Sequence, residues 1–185
     1  MTLLRAALPF IFFLFLAQSL PIATACENEV LISTTEARKL LVRAEKSLAQ
    51  GKYASVVEMT SDIEVKDEAL ARRLSRVRAV GYLHTNYISM ALELLEALLN
   101  QTPDDPYLKT RVAEGLSMLR KNKQENAKRA LAMLEELDKA DLIPDAEGDL
   151  VLARLRAAAK DATGSARALA RCQKRSSRPA ECVLP

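Results

Sequence analysis

The residues of this 185-residue chain that could do chemistry are few: one histidine, three cysteines, a run of carboxylates and three groups of cations. His84 could serve as a general base, which needs a nucleophile within hydrogen-bond reach and a third group to orient it. No such partner stands beside it in sequence. Ser89 and Asp62 could approach only through folding, and the local pattern reads as a loop after a helix, with His84 a solvated linker residue. A deep pocket with carboxylates converging on His84 would be needed to make an enzyme of this chain. Cys26, Cys172 and Cys182 lack the short His/Cys spacing of a zinc site. The acids Glu135, Glu136, Asp138, Asp141, Asp145, Glu147 and Asp149 lack the order of a calcium loop, glycine at the sixth position and glutamate at the twelfth. They read as the solvated end of one helix and the start of another. No catalytic residue, metal, cofactor or small-molecule substrate is expected.

The cations fall in three clusters: Arg72, Arg73, Arg76 and Arg78; Arg120, Lys121, Lys123, Lys128 and Arg129; and Lys174, Arg175 and Arg178. No aromatic residues are interleaved with them to stack bases, so nucleic acid is not the expected partner. The first two clusters read as polar faces of amphipathic helices. From Lys160 onward the chain carries six basic and two acidic groups, while residues 26–159 are nearly balanced. The tail is therefore the distinctly basic part, suited to anionic headgroups or an acidic partner.

The elements that position these residues begin after an export segment. An apolar run, Ala6 to Leu20, is followed by Pro21 and then by Ala23-Thr24-Ala25 directly before Cys26. Small residues at Ala23 and Ala25 suit a signal peptidase, so residues 1–25 are expected to be removed. Retention as a transmembrane anchor is the rival, but the uninterrupted part, Ala6 to Ala17, falls short of the roughly 20 residues a span needs. A cysteine in this place resembles the lipobox of bacterial lipoproteins, which implies a diacylglyceryl group on Cys26 and a periplasm-facing, membrane-held protein of the bacterial envelope. By the same resemblance Glu27, rather than Asp, favours the outer membrane over the inner. Simple cleavage would instead give a soluble periplasmic or secreted protein. If Cys26 carries lipid, Cys172 and Cys182 remain as a pair able to form a disulfide in an oxidising compartment; the alternative is two free thiols in a frayed tail.

The mature chain divides into a linker (26–32), a helical domain (33–172) and a basic tail (173–185). All four Phe lie before Cys26 and there is no Trp, so the core must be built from Leu, Ala, Val and Met, as suits close-packed helices. Ser33 and Glu36 form a capping-box signature, and Ala37, Leu40, Leu41, Ala44 and Leu48 follow on one face until Gly51. Further helices are predicted over Tyr53–Ser61, after Asp67, over Tyr87–Asn100, after Asp105-Pro106, after Lys123, after Asp145, and from Ala166 to about Cys172 behind a Thr163 or Ser165 cap. Gly81 to Asn86 loosens the third of these, and no segment reads as a strand.

Tyr53 and Tyr87 are 34 residues apart, as are Ala37 and Ala71, and Leu40 and Leu74. That is the tetratricopeptide period. With Ala44 at the small position of a first helix, Gly51-Lys52-Tyr53 entering a second, and Ala97 with Pro103 at a repeat end, the chain resembles the tetratricopeptide family over residues 36–104. Residues 105–172 keep only the hairpin pattern, and Arg43 and Arg78 stand where the family has an apolar and a small residue. The resemblance implies an all-α fold, about eight helices in antiparallel hairpins stacked as a short right-handed solenoid. It places Tyr53 and Tyr87 in the core and leaves Arg43, Arg73, Tyr82, Tyr107 and Lys109 as candidate contacts with a partner. The expected function is a non-enzymatic scaffold or adaptor that binds an envelope protein. The alternative is an accessory factor that binds an envelope polymer, peptidoglycan or an exported polysaccharide, through the basic clusters.

Overall fold

Helix starts in this chain are set by side chains that accept otherwise unpaired amides. In the computed structural model, which describes residues 30–184, the Ser33 hydroxyl accepts from the Glu36 amide at 3.3 Å while the Glu36 carboxylate accepts from the Ser33 amide at 3.1 Å. The expected export segment, the expected cleavage site and Cys26 lie outside the described residues. The capping box opens α1 (Thr34–Ala49), and Gly51, at φ +70°, turns the chain into α2 (Tyr53–Thr60). Asp67 caps α3 (Glu68–His84), which is followed by α4 (Ile88–Gln101). Asp105 accepts from Tyr107 and Leu108 to start α5 (Pro106–Met118), which turns into α6 (Lys123–Lys139). Asp145 caps α7 (Ala146–Ala158) and Asp161 caps α8 (Ala162–Arg175).

The fold is all-α, with α1–α2, α3–α4, α5–α6 and α7–α8 as successive hairpins, each packed on the next. The first helices also touch across hairpins, α1 on α3 and α5 on α7. Two apolar clusters run through the stack. Ala37, Leu40, Leu41 and Ala44 of α1 meet Val56 of α2 and Leu70, Leu74 and Val77 of α3. The larger cluster starts at Ala79 and Leu83 in the second half of α3 and runs through Leu95, Leu108, Val112, Leu134 and Leu152 to Ala168. Thus α3 belongs to both.

Four details correct the sequence reading. Val30–Ile32 (β1) and Ile63–Val65 (β2) form a parallel two-strand ribbon, in register Val30 to Ile63, where no strand was expected. Next, α3 does not loosen at Gly81 but continues to His84, so His84 is in the last turn of a helix. The cap of α8 is Asp161, neither Thr163 nor Ser165, which lengthens that helix at both ends. Finally, the basic tail after Arg175 is folded, with a short 3-10 turn over Pro179–Glu181; the expected Cys172–Cys182 disulfide is present, its Cα atoms 5.9 Å apart. No described helix is long and apolar enough to cross a membrane.

Candidate functional site

A cleft of about 380 Å³ is built from all four hairpins. The end of α1 contributes Leu48 and the start of α2 contributes Tyr53; α3 adds His84, α5 adds Tyr107 and Arg111, and α7 brings its cap Asp145 with Glu147. Arg175, Ser176 and Ser177, at the end of α8, close the far side.

At its floor is a charge cluster. Arg111, on the buried side of α5, donates to Glu114 one turn on, at 2.5 Å, and to Asp145 on the next first helix. Asp145 is thus shared, one oxygen capping α7 through the Gly148 amide and the other holding Arg111. Burial works against the Arg111 charge, but the Glu114 and Asp145 carboxylates outweigh it and raise its pKa. For Glu114 burial wins, and its carboxyl is pushed up to about 6 although Arg111 pulls it down. Among the described residues the Arg111 Nε–H has no hydrogen-bond partner. Buried polar groups are rarely left so.

Above this floor the aromatic rings are ordered. Tyr53 stacks on His84 with ring centroids 4.0 Å apart, and the Tyr107 ring lies under both Arg76 and Arg111, at 5.1 and 5.3 Å. The His84 Nε2 lies 3.8 Å from Glu114 Oε1. Burial, and secondarily the Arg111 charge, lowers the His84 pKa, so the ring is neutral at pH 7.

His84 is therefore a packed cleft residue and not a solvated one, and carboxylates do gather near it. Of the five candidate contact residues, only Tyr107 lines this cleft. Tyr82 is 6% exposed and belongs to the core, which removes it as a contact. Arg73 is tied to Glu45 at 2.7 Å across the α1–α3 seam, Lys109 to Glu136 at 2.7 Å across the α5–α6 hairpin, and Arg43 is exposed on α1. The tyrosines expected in the core behave differently as well: Tyr53 is half-buried in the cleft wall and Tyr87 is 55% exposed.

The acids expected to be solvated are partly internal. Asp149 is fully buried and accepts from Arg171 Nε and Arg175 Nη1, both at 2.9 Å, while Asp138 holds Arg156 at 2.7 Å and Arg171 at 2.6 Å. Arg175 also donates to the Ile143 carbonyl, and Arg178 pairs with Glu181. Much of the tail's basic charge is thus neutralised within the fold. Arg111 and Glu114 escaped the sequence reading, and Glu147 was read only as a solvated acid at a helix start. A signal for Arg111 existed, since it stands 34 residues before Asp145, the same spacing as Tyr53 to Tyr87.

Among the described residues no group of three or more His, Cys, Asp or Glu is placed to hold a metal ion. Comparison with protein families, with curated proteins and with solved structures finds no match to this chain.

Proposed function

We propose that this chain is an exported, lipid-anchored helical-repeat protein of the tetratricopeptide type, acting as a protein–protein scaffold or adaptor in the bacterial cell envelope. The observation that carries the binding part is the cleft: it spans the hairpin stack and is lined by Tyr53, His84, Tyr107 and Arg111. A partner's carbonyl or carboxylate entering it would meet the Arg111 guanidinium beside the Tyr107 ring. The cleft is open and mixed in charge, which suits an extended polar segment of a protein. The anchor rests on Ala23-Thr24-Ala25-Cys26.

A photo-crosslinking residue at Ser177, in the cleft, should capture a discrete envelope protein in cells, whereas one at exposed Leu142 should not. Equal or absent capture from both positions rejects the cleft as the binding surface. Labelling with a palmitate analogue should vanish in Cys26→Ser; persistent label rejects the anchor. Sedimentation with purified sacculi separates the polymer-binding alternative, since an adaptor stays in the supernatant.

A second reading, acid–base catalysis, is favoured by one observation, the neutral His84 held 3.8 Å from Glu114. It would require turnover of some envelope substrate that falls in His84→Gln while partner capture persists.

A further inference from the structure

The basic tail was the segment of this sequence best suited to a membrane surface, yet Arg171 and Arg175 are held by Asp149 and Arg178 by Glu181. A basic face with no acid of its own occurs elsewhere, on α1. At 100° per residue, Thr35, Arg38, Lys39, Val42, Arg43, Lys46 and Ala49 share the side of α1 opposite its buried stripe, and all are exposed. This side has four cations and no acid. Both acids of α1 lie at its margins and are already engaged, Glu36 in the capping box and Glu45 with Arg73. At its centre Val42 is 64% exposed, and Arg38, Lys39, Val42 and Arg43 together line a shallow apolar depression.

We propose that this face of α1 lies against an anionic phospholipid surface, with Val42 in the headgroup layer and Arg38, Lys39, Arg43 and Lys46 on lipid phosphates. Charge complementarity selects the bilayer, since each Lys or Arg near such a surface adds attraction and a small apolar group at the centre of the ring can enter it. Chain geometry agrees. Only seven residues separate Cys26 from Thr34, a reach of at most about 29 Å at full extension. This tether argument rests on the proposed anchor at Cys26; the charge argument does not.

The chain has no Trp, so Val42→Trp gives a single reporter in the full-length protein, with Tyr87→Trp as the exposed control away from α1. With phosphatidylglycerol vesicles, the indole emission of the Val42→Trp protein should shift to the blue and be quenched by brominated lipid. With phosphatidylcholine vesicles, at high salt, or in the Tyr87→Trp control, neither change should occur. Replacing Arg38, Lys39, Arg43 and Lys46 with Gln on the Val42→Trp background should weaken anionic-vesicle quenching at least about tenfold. Protein left in the supernatant, water-like indole emission from bound Val42→Trp protein, or equal quenching on both lipids and in the Gln variant would each overturn the proposal. The outcome is independent of Cys26: an unlipidated chain can pass, and a lipidated one can fail.

Discussion

The first hairpin and the last are held in different ways. Where α1 and α2 meet α3, the interior is aliphatic, and the nearby ion pair, Arg73 with Glu45, lies at the surface with Arg73 60% exposed. Where α7 meets α6 and α8, carboxylates enter the interior: Asp149 is fully buried, Asp138 receives two arginines, and Arg156 is itself buried. The difference shows two ways of specifying a stack of hairpins. The aliphatic seam tolerates small shifts, since its contacts are non-directional. The charged seam fixes angle and register, because each carboxylate must meet its own arginines or stay buried and unpaired.

The largest effect should come from breaking the charged seam. Asp149→Ala leaves a void where a fully buried carboxylate held two arginines, Arg171 keeping only Asp138 and Arg175 only the Ile143 carbonyl, and we expect a loss of about 3 kcal/mol in denaturant unfolding. The matching change at the aliphatic end, Glu45→Ala, should cost less than about 1 kcal/mol because the pair is screened by water. Similar midpoints for the two variants would erase the distinction.

Reduction of the Cys172–Cys182 bridge comes next. It closes a loop of sequence separation 10 and packs on Leu150, so its loss should cost about 2 to 3 kcal/mol by chain entropy. In a stack stabilised by nearest-neighbour interfaces the effect should be local. Hydrogen exchange should therefore speed up in α8 while the amides of α1 and α2 keep their protection; uniform loss would mean that the stack unfolds as one unit.

This contrast also decides what could be read from the sequence. Apolar stripes, caps at Ser33, Asp67 and Asp105, and the first-turn acids from Asp145 onward announced the helices, because local side-chain chemistry sets helix starts. The three-residue strands were not legible, being too short to show alternation. Gly81 reads in sequence as a helix break, but a Cβ there would lie 3.1 Å from Val56 Cγ1, so its role is to let α2 approach α3. Asp138 and Asp149 looked solvated because sequence shows a carboxylate's position on its own helix and not the arginines of the next. The cleft was hidden for the same reason: Tyr53, His84, Tyr107 and Arg111 come from three hairpins.

The smallest expected effect concerns the middle of the stack, where the two regimes meet at the α3–α5 contact of His84 with Glu114. Burial raises Glu114 from 4.5 to about 6, so between those pH values the folded chain holds a proton there that the unfolded chain releases. Stability from this group rises as pH falls, by about 2 kcal/mol in all, and is lost again as pH climbs through 6. His84 acts in the opposite sense. Burial, then Arg111, holds its pKa below 6.5, so its contribution is full above 6.5 and shrinks as pH falls toward the folded value. The resolved downward shifts at Glu36 and Asp138 begin from 4.5 and 3.8, at the acid edge of this window or below it. Below pH 6, where their windows overlap, the two slopes oppose each other. Glu114→Gln should leave the histidine alone, giving a protein that weakens as pH falls below 6.5. His84→Asn should leave the carboxyl alone, giving one that strengthens. Parallel pH profiles for the two variants would show that neither group is desolvated at the seam, and that the aliphatic regime extends through α5.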